Sequence, residues 1–223
     1  SKSKLTDESA AWVRFGLENA DKTLADLGLE LPSETDSVAR HEALIAIRVS
    51  PGRTELWAPA EQAQTLQTRL RAELTEADLN QWLLGQIRAG IGQVMPATRE
   101  LFIPQMLNLQ AVGGVSFKKG CYTGQEIVAR MQYLGKLKRR LYRLQLDASQ
   151  LPEPGTALFS PTHGSSIGEV VIAARGEGNI ELLAVLQAEA AEDDNLHLGT
   201  LEGPRLQMLD LPYELDRDRE IQR

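Results

Sequence analysis

The sequence predicts an α+β fold in two parts, in which an α+β region is followed by a smaller all-β region. In the first part, strand-like and helix-like segments follow the order strand, helix, strand, strand, helix, which is typical of helices packed on one face of an antiparallel sheet. After Gly135 the pattern changes to short β-rich runs separated by Pro or Gly turns, which is typical of a small antiparallel barrel or sandwich. We therefore place a domain boundary between residues 134 and 135, giving regions 1–134 and 135–223, and 223 residues are enough for two cores.

The first region begins with a weakly alternating strand over residues 11–17, followed by a short helix that Gly28 ends at a C′ position. The segment "EALIAIRVSPGRTELWAP" predicts two strands joined by a tight turn at residues 50–53, a hairpin pattern. A helix is predicted from about residue 60 to residue 74.

A second amphipathic helix is predicted in "TEADLNQWLLGQIRAGIG". Thr75 is a suitable cap for it. Its apolar side chains recur at helical spacing, at Leu79, Trp82, Leu83 and Ile87. Trp82 is thus expected to pack in a core or, alternatively, to offer a flat ligand a stacking surface.

Residues 94–119 form a long irregular segment rich in Gly and Pro, and a loop of that length inside a globular chain is usually functional. Thr123 then predicts the start of a helix through "GQEIVARMQYL", which Gly135 ends.

The composition is that of an ordinary globular protein, with 42% hydrophobic and 25% charged residues. The apolar runs are far shorter than the roughly 20 residues that a membrane-spanning helix needs, so we expect no membrane partner. The first residues contain no apolar signal-peptide core, and a single cysteine suits a reducing compartment. We therefore expect a cytoplasmic location.

Basic residues are concentrated in one window on an otherwise acidic chain. Residues 118–143 contain eight Lys or Arg and one Glu, a net of +7, although the whole chain carries −7. Such a window is typical of a site that meets an anion, and it is equally typical of an edge strand protected by charge. An RNA-binding module formed by segment 136–143, with a weak tRNA contact, is one alternative function.

Several kinds of site are not indicated. The three histidines are scattered and have no second ligand at metal spacing, so we predict no metal site. Neither a dinucleotide-binding glycine pattern nor a phosphate-binding P-loop occurs.

The segment "KKGCYTGQE" at 118–126 is the strongest candidate for a binding loop. Gly120 and Gly124 bracket a tight turn, while Tyr122 offers a stacking face and Gln125 both a donor and an acceptor. Cys121 follows two lysines and precedes a predicted helix N-terminus, a setting that lowers a thiol pKa. A lone cysteine is also often a buried filler, so both readings stay open from local sequence. Glu126 and Arg130 stand at the spacing of a helical ion pair.

The stretch "FIPQMLNLQAVGGVSFKKGCYTGQEIVARMQYLGKLKRR" resembles the YgfZ family of folate-binding, tRNA-modification-associated proteins. These are relatives of the glycine-cleavage T-protein, an aminomethyltransferase, and of a mitochondrial iron–sulfur assembly factor. The family signature K-G-C-Y-x-G-Q-E is complete at residues 119–126, and "QWLLGQIRAGIG" and "LPYEL" also look like the family's. Family members usually begin with a further segment, and we expect this chain to start after it.

The resemblance implies a T-protein-like α+β folate-binding region followed by a C-terminal antiparallel β-barrel. It implies a tetrahydrofolate site whose contacts are Trp82, Lys119, Gly120, Tyr122, Gln125, Glu126 and Arg130. Cys121 would be a functional thiol in the same cavity. One departure is Arg88, which stands where the family commonly has an acidic residue; in the T-protein relatives that carboxylate recognises the pterin.

The implied function is a tetrahydrofolate-binding accessory protein that supports tRNA thiolation and the assembly or repair of iron–sulfur enzymes. Its partners would be folate and tRNA-modification or iron–sulfur enzymes. A folate-dependent methyl- or aminomethyltransferase is the alternative, but no complete catalytic set is visible in the sequence, so enzymatic activity stays open.

Overall fold

The computed structural model describes residues 3–116, 119–120, 124–128, 137–193 and 195–215. Its contacts divide the chain into two compact units, Ser1–Ala77 and Asp78–Arg223. The predicted boundary at 134 and 135 lies outside the described residues and stays a prediction.

The first unit is a four-stranded antiparallel sheet with its helices on one face. Its elements are β1 (Trp12–Glu18), α1 (Asp21–Asp26), β2 (Val38–His41), β3 (Leu44–Ser50), β4 (Arg53–Pro59) and α2 (Ala63–Glu73). The strand order is β1-β4-β3-β2. Alternate residues of the strands, among them Leu17, Ala46 and Leu56, join leucines of α1 and α2 in one core. The same alternation directs the remaining side chains to the opposite face.

Two glycines end elements of this unit as the sequence predicts. Gly28 has φ +79° after α1, and the amides of Gly28 and Leu29 donate to the carbonyls of Ala25 and Leu24. These two hydrogen bonds are a Schellman ending, in which the left-handed residue is usually Gly. Gly52 has φ +71° in the β3–β4 turn, which confirms the predicted hairpin.

The second unit contains the α-helix α3 (Leu79–Arg88), a helical segment at residues 125–128, and six strands among its described residues. The strands are β5 (Arg139–Leu146), β6 (Ala157–Phe159), β7 (Gly168–Arg175), β8 (Ile180–Gln187), β9 (Leu196–Leu198) and β10 (Arg205–Leu209). They close into an antiparallel barrel in the order β10-β5-β8-β7-β6-β9, with β10 and β9 paired. The predicted fold class is therefore confirmed. Of the two predicted β architectures, a barrel or a sandwich, the structure is a barrel.

The barrel has an apolar interior and a second apolar layer beneath α3. One set of alternating side chains, including Leu144, Leu182 and Leu186, fills the interior. The other set, including Leu141 and Leu183, packs against Leu84 and Ile87 of α3 and against Leu107. Strands β7 and β8 are consequently buried on both faces, which explains why "VVIAA" and "ELLAVL" are continuous apolar runs. No helix in the described ranges is long and apolar enough to span a bilayer.

The N-terminal end of α3 corrects one prediction. The helix starts at Leu79, and its cap is Asp78, whose Oδ1 accepts a hydrogen bond of 3.0 Å from the amide of Gln81. Thr75 lies before the helix instead. Both residue types are common caps, so composition alone does not separate them.

The substitution Asp78→Ala should lower the free energy of unfolding by about 1 kcal/mol, because it leaves an amide of the first turn without its acceptor. Thr75→Ala is the matched control and should change stability by less than about 0.5 kcal/mol. Urea denaturation followed by far-ultraviolet circular dichroism measures both. Equal losses in the two variants would contradict the assignment of the cap.

Candidate functional site

The signature segment is described in part. Lys119 and Gly120 are exposed, Glu126 is exposed and Gln125 is half-buried, and residues 125–128 are helical. Cys121, Tyr122 and Arg130 lie outside the described residues, as does Thr123, so their predicted roles stay predictions.

A buried glutamine attaches this helical segment to the loop before it. Gln105 lies in the short 3-10 turn Pro104–Leu107 and is only 2% exposed. Its Nε2 donates a hydrogen bond of 2.6 Å to the carbonyl of Val128. Val128 is itself buried, so the polar anchor and the apolar contact lie at the same end of the segment. The turn at 104–107 thereby fixes one side of the signature helix.

Asn108 connects the same turn to the barrel and to the C-terminal "LPYEL" motif. It is fully buried and left-handed, with φ 54°, a conformation that Asn tolerates better than most residues. Its Nδ2 donates to the carbonyl of Leu141 at 2.9 Å and to Oη of Tyr213 at 3.4 Å. The Tyr213 hydroxyl in turn donates to the carbonyl of Gly90 at 2.7 Å.

This relay joins three segments that are far apart in the chain: the end of α3, the 104–110 loop and residues 211–215. Burial raises the pKa of the Tyr213 phenol more than the hydrogen bond from Asn108 lowers it, so the hydroxyl keeps its proton at neutral pH. Gly90 has φ +67°, and a Cβ there would come within 2.7 Å of the Tyr213 ring. A glycine is therefore required where the tyrosine crosses the chain after α3.

Two further side chains of α3, Trp82 and Gln86, lie beside the residues that the helix packs on the barrel. Trp82 is half-buried and does not belong to the apolar layer formed with Leu84 and Ile87 in the described structure. Gln86 is buried, its Nε2 donates to the carbonyl of Ile91 at 3.2 Å, and its Oε1 accepts from Gln93 at 3.2 Å. The two predicted roles of Trp82, core packing and ligand stacking, both stay predictions.

Arg88 is held by a buried carboxylate. Oε1 of Glu181 accepts from Nε and Nη2 of Arg88 at 3.0 and 2.7 Å, and Oε2 accepts from Nε and Nη2 of Arg143 at 3.2 and 2.6 Å. Glu181 is only 4% exposed, whereas the Arg88 side chain is 47% exposed. Nη1 of Arg143 also donates to the carbonyl of Asp210 at 3.3 Å, which ties the residues before Tyr213 to the same cluster.

The charge of this cluster follows from its hydrogen bonds. Burial raises the pKa of the Glu181 carboxyl, but the hydrogen bonds and charges of Arg88 and Arg143 together outweigh it, so the pKa is lowered. Glu181 is therefore ionised at neutral pH, and the three side chains carry a net charge of +1. Each oxygen of the Glu181 carboxylate accepts two N–H groups from the arginines, so this carboxylate is fully used. Position 88 is itself an arginine, so it supplies no carboxylate either.

The neutral amides of the 104–110 loop offer acceptors instead. The side-chain oxygens of Gln105, Asn108 and Gln110 are buried and accept no hydrogen bond within the part of the chain that the structure describes. Buried acceptors of this kind are unfavourable unless a donor reaches them. The 2-amino and ring N–H groups of a pterin are donors of the required type, so these residues fit a reduced folate in their chemistry.

Acidic side chains neutralise part of the positive charge of strand β5. Arg139 forms an ion pair with Glu169, and Arg143 with Glu181. The alternative of an RNA-binding surface along 136–143 therefore has fewer uncompensated cations than the sequence count gives. No group of three metal-ligating side chains occurs among the described residues.

Among solved structures, the chain is similar to the glycine cleavage system aminomethyltransferase T from Bartonella henselae. The TM-score is 0.56 at 18% identity, over 86% of this chain and 56% of that one. The likeness defines the fold class as T-protein-like, in agreement with the predicted α+β region and C-terminal barrel.

The sequence is similar to curated proteins named "tRNA-modifying protein YgfZ". That of Escherichia fergusonii is 37% identical over 210 residues, and that of Yersinia pestis is 36% identical over 205 residues. These matches cover 88% and 90% of this chain, which spans 62% of the length of either relative. The predicted resemblance to the YgfZ family is therefore confirmed: the chain is a homologue of these proteins. A scan against protein-family models gives no match.

The substitution Glu181→Gln should lower the free energy of unfolding by about 1–3 kcal/mol, because it leaves two guanidinium groups facing a neutral amide. Since Arg88 is partly exposed to solvent, the loss is smaller than for a fully buried ion pair. Glu177→Gln, at an exposed position in the same β7–β8 hairpin, is the control and should have little effect.

The stability that Glu181→Gln loses should also depend on pH. Since the folded-state pKa of Glu181 is lowered, its stabilising contribution is complete above the unfolded value of about 4.3 and disappears as the pH falls through the folded value. Denaturation at a series of pH values should therefore show a constant difference between wild type and Glu181→Gln above about pH 5 that shrinks in acid. A difference that grows in acid would exclude this ion cluster.

Proposed function

We propose that the chain is a tetrahydrofolate-binding accessory protein that supports tRNA modification, in particular thiolation, and the assembly or repair of iron–sulfur enzymes. The observation that carries this proposal is the similarity to tRNA-modifying YgfZ proteins over 88% of the chain. A cytoplasmic location and partners among tRNA-modification and iron–sulfur enzymes belong to the same proposal.

The 104–110 loop supports the folate part of the proposal. Gln105, Asn108 and Gln110 would accept hydrogen bonds from the donor edge of a pterin, and Trp82 would stack on a ring of the same ligand. Lys119, exposed beside the signature turn, suits the carboxylates of the glutamate tail. A bound tetrahydrofolate would supply a carrier for one-carbon units.

Arg88 changes how a pterin would be recognised. The acidic residue that the family commonly has at this position is replaced by the cation of Arg88. Two N–H groups on one edge of that guanidinium donate to the Glu181 carboxylate, which neutralises the charge. The carboxylate mode of recognition is thereby lost, and neutral amide acceptors take its place. A neutral acceptor attracts an amino group less strongly than a carboxylate, so binding in this chain depends more on stacking and burial.

Cys121 would act as the functional thiol of the site. The two lysines before it and the helix after it favour its thiolate form, which is the nucleophilic form of cysteine. Because no acid positioned for aminomethyl transfer is evident in the sequence, an accessory role is favoured over turnover.

Folate binding is tested by calorimetric titration of the chain with tetrahydrofolate. Trp82→Phe should weaken binding by about two- to tenfold, because the smaller ring gives a smaller stacking surface. Trp57→Phe, in the other unit, is the matched control and should leave the affinity unchanged. Absence of binding by a chain shown to be folded would contradict the proposal for this chain.

The thiol role is tested in cells. Cys121→Ser should abolish the support of tRNA thiolation, since a hydroxyl does not ionise near neutral pH. Thiolated nucleosides are quantified by mass spectrometry of hydrolysed tRNA at matched protein levels, with a host that expresses the wild-type chain as reference. Unchanged thiolation at a normal protein level would show that Cys121 is not functional.

A further inference from the structure

The four-stranded sheet of the first unit has a second face that carries aromatic and basic side chains. Strand pairing aligns Arg14 of β1 with Trp57 of β4, Trp57 with Ile45 of β3, and Ile45 with Arg40 of β2. These residues alternate with those of the core, so they point away from α1 and α2. Both arginines are exposed, and Trp57 and Ile45 are half-buried. The row has an apolar centre and a cation at each end.

A groove lies where this row meets the start of the chain. Its volume is about 610 Å³, and Glu8, Ser9, Trp12, Arg14 and Trp57 line it. That volume is within the range of pockets that take small organic ligands. Trp12 is paired with Pro59, two residues from Trp57, so the two indoles lie on the same face at the diagonal spacing at which aromatic side chains reach each other.

Two contacts orient side chains that line the groove. The Arg14 guanidinium lies 5.1 Å from the centroid of the Trp57 ring, a cation–π contact that orients its planar group. Nε1 of Trp57 donates to Oε2 of Glu55 at 3.0 Å, which sets the orientation of the indole. The groove therefore presents an indole ring and a planar cation whose orientations are set by these contacts, beside the second indole of Trp12.

We propose that this face, comprising Trp12, Arg14, Arg40, Ile45 and Trp57, is a binding platform for unpaired nucleotides of RNA. Bases of single-stranded RNA stack on aromatic rings and on guanidinium planes, and a four-stranded sheet with aromatic residues on its open face suits this use. Arg14 and Arg40 are separated by three interstrand spacings, about 14 Å, which leaves room for more than one nucleotide between two phosphate contacts. The inference rests on the proposed function, to which it adds the RNA-contacting surface.

The charge of the chain determines the kind of binding to expect. With a net charge of −7, the chain does not attract RNA by its overall field, so stacking dominates and only two cations contact phosphates. For two phosphate contacts on a single strand, the slope of log K against log salt is about −1.4, far shallower than for a basic RNA-binding surface. Strand β5 is less suited to this role, since Arg139 and Arg143 are paired with Glu169 and Glu181.

The test uses fluorescence anisotropy of the full 223-residue chain with a labelled single-stranded RNA octamer and with the same octamer in a duplex. Single-stranded RNA should bind, and the duplex should bind at least about fivefold more weakly because its bases are already stacked and paired. Trp12→Ala should weaken binding to the single strand at least about fivefold, and Trp12→Phe should retain most of it. Arg14→Ala should weaken binding and bring the salt slope about 0.7 closer to zero.

Lys138→Ala, at an exposed position just before β5, is the control and should leave the affinity unchanged. Thermal unfolding by circular dichroism confirms that the variants are folded. Arg14→Ala removes an exposed guanidinium together with its contact with the Trp57 ring. The proposal is overturned by an absence of RNA binding, by equal affinities for single strand and duplex, or by Trp12→Ala and Arg14→Ala binding like wild type. It is also overturned if the chain forms a dimer that Trp12→Ala dissociates, because the face would then be a protein interface.

The two proposals fail separately. Loss of RNA binding with an intact tetrahydrofolate titration would remove only the platform, whereas RNA binding that depends on Trp12 without folate affinity would remove only the folate site.

Discussion

The buried carboxylate of Glu181 is the constraint on which the arrangement of the second unit depends. An ionised carboxylate is costly to bury, and it is tolerated here because four N–H groups from Arg88 and Arg143 surround its two oxygens. The cluster brings the end of α3 and strand β5 to the same side chain of β8. Arg143 then extends the same cluster to the backbone of Asp210, and the chain that follows is directed towards Tyr213.

Beyond this cluster, hydrogen bonds between uncharged groups connect the segments of the second unit. Tyr213 reaches the carbonyl of Gly90, Asn108 reaches Tyr213 and Leu141, and Gln105 reaches Val128 at the edge of the signature helix. The amide nitrogens of Gln105 and Asn108 are used for this architecture, while their amide oxygens accept no hydrogen bond in the described structure. The nitrogens therefore tie the loop to neighbouring segments, and the oxygens are the acceptors that the proposed pterin would use.

The two units differ in how they use polar groups. In the second unit Glu181, Gln105 and Asn108 are buried in networks that fix backbone segments. In the first unit Arg48 has such a role, as it is 2% exposed and donates to Thr54 at 3.1 Å and to Asp21. Arg14 and Arg40 lie on the opposite face of the same sheet and are exposed. One face of the sheet is thus a structural core, and the other is available for stacking and for contact with anions.

The sequence by itself determined the features that depend on neighbouring residues. The end of α1 at Gly28, the β3–β4 hairpin, the amphipathic α3 and the β-rich second part follow from periodicity and turn residues. The signature at 119–126 indicated the resemblance to the YgfZ family. The short strands β2 and β9 were missed because four or three residues are too few to show alternation. Asp78 was missed as a cap because Thr75 is an equally suitable residue type.

Only the tertiary structure decided the pairings that join distant residues. Arg88 and Glu181 are 93 positions apart, and Asn108 and Tyr213 are 105 positions apart. The alignment of Arg14, Trp57, Ile45 and Arg40 likewise exists only once the strands are in register. Local patterns record which face of an element is apolar, whereas the partner of a buried charge is set by the closure of the barrel and by the packing of α3 on it.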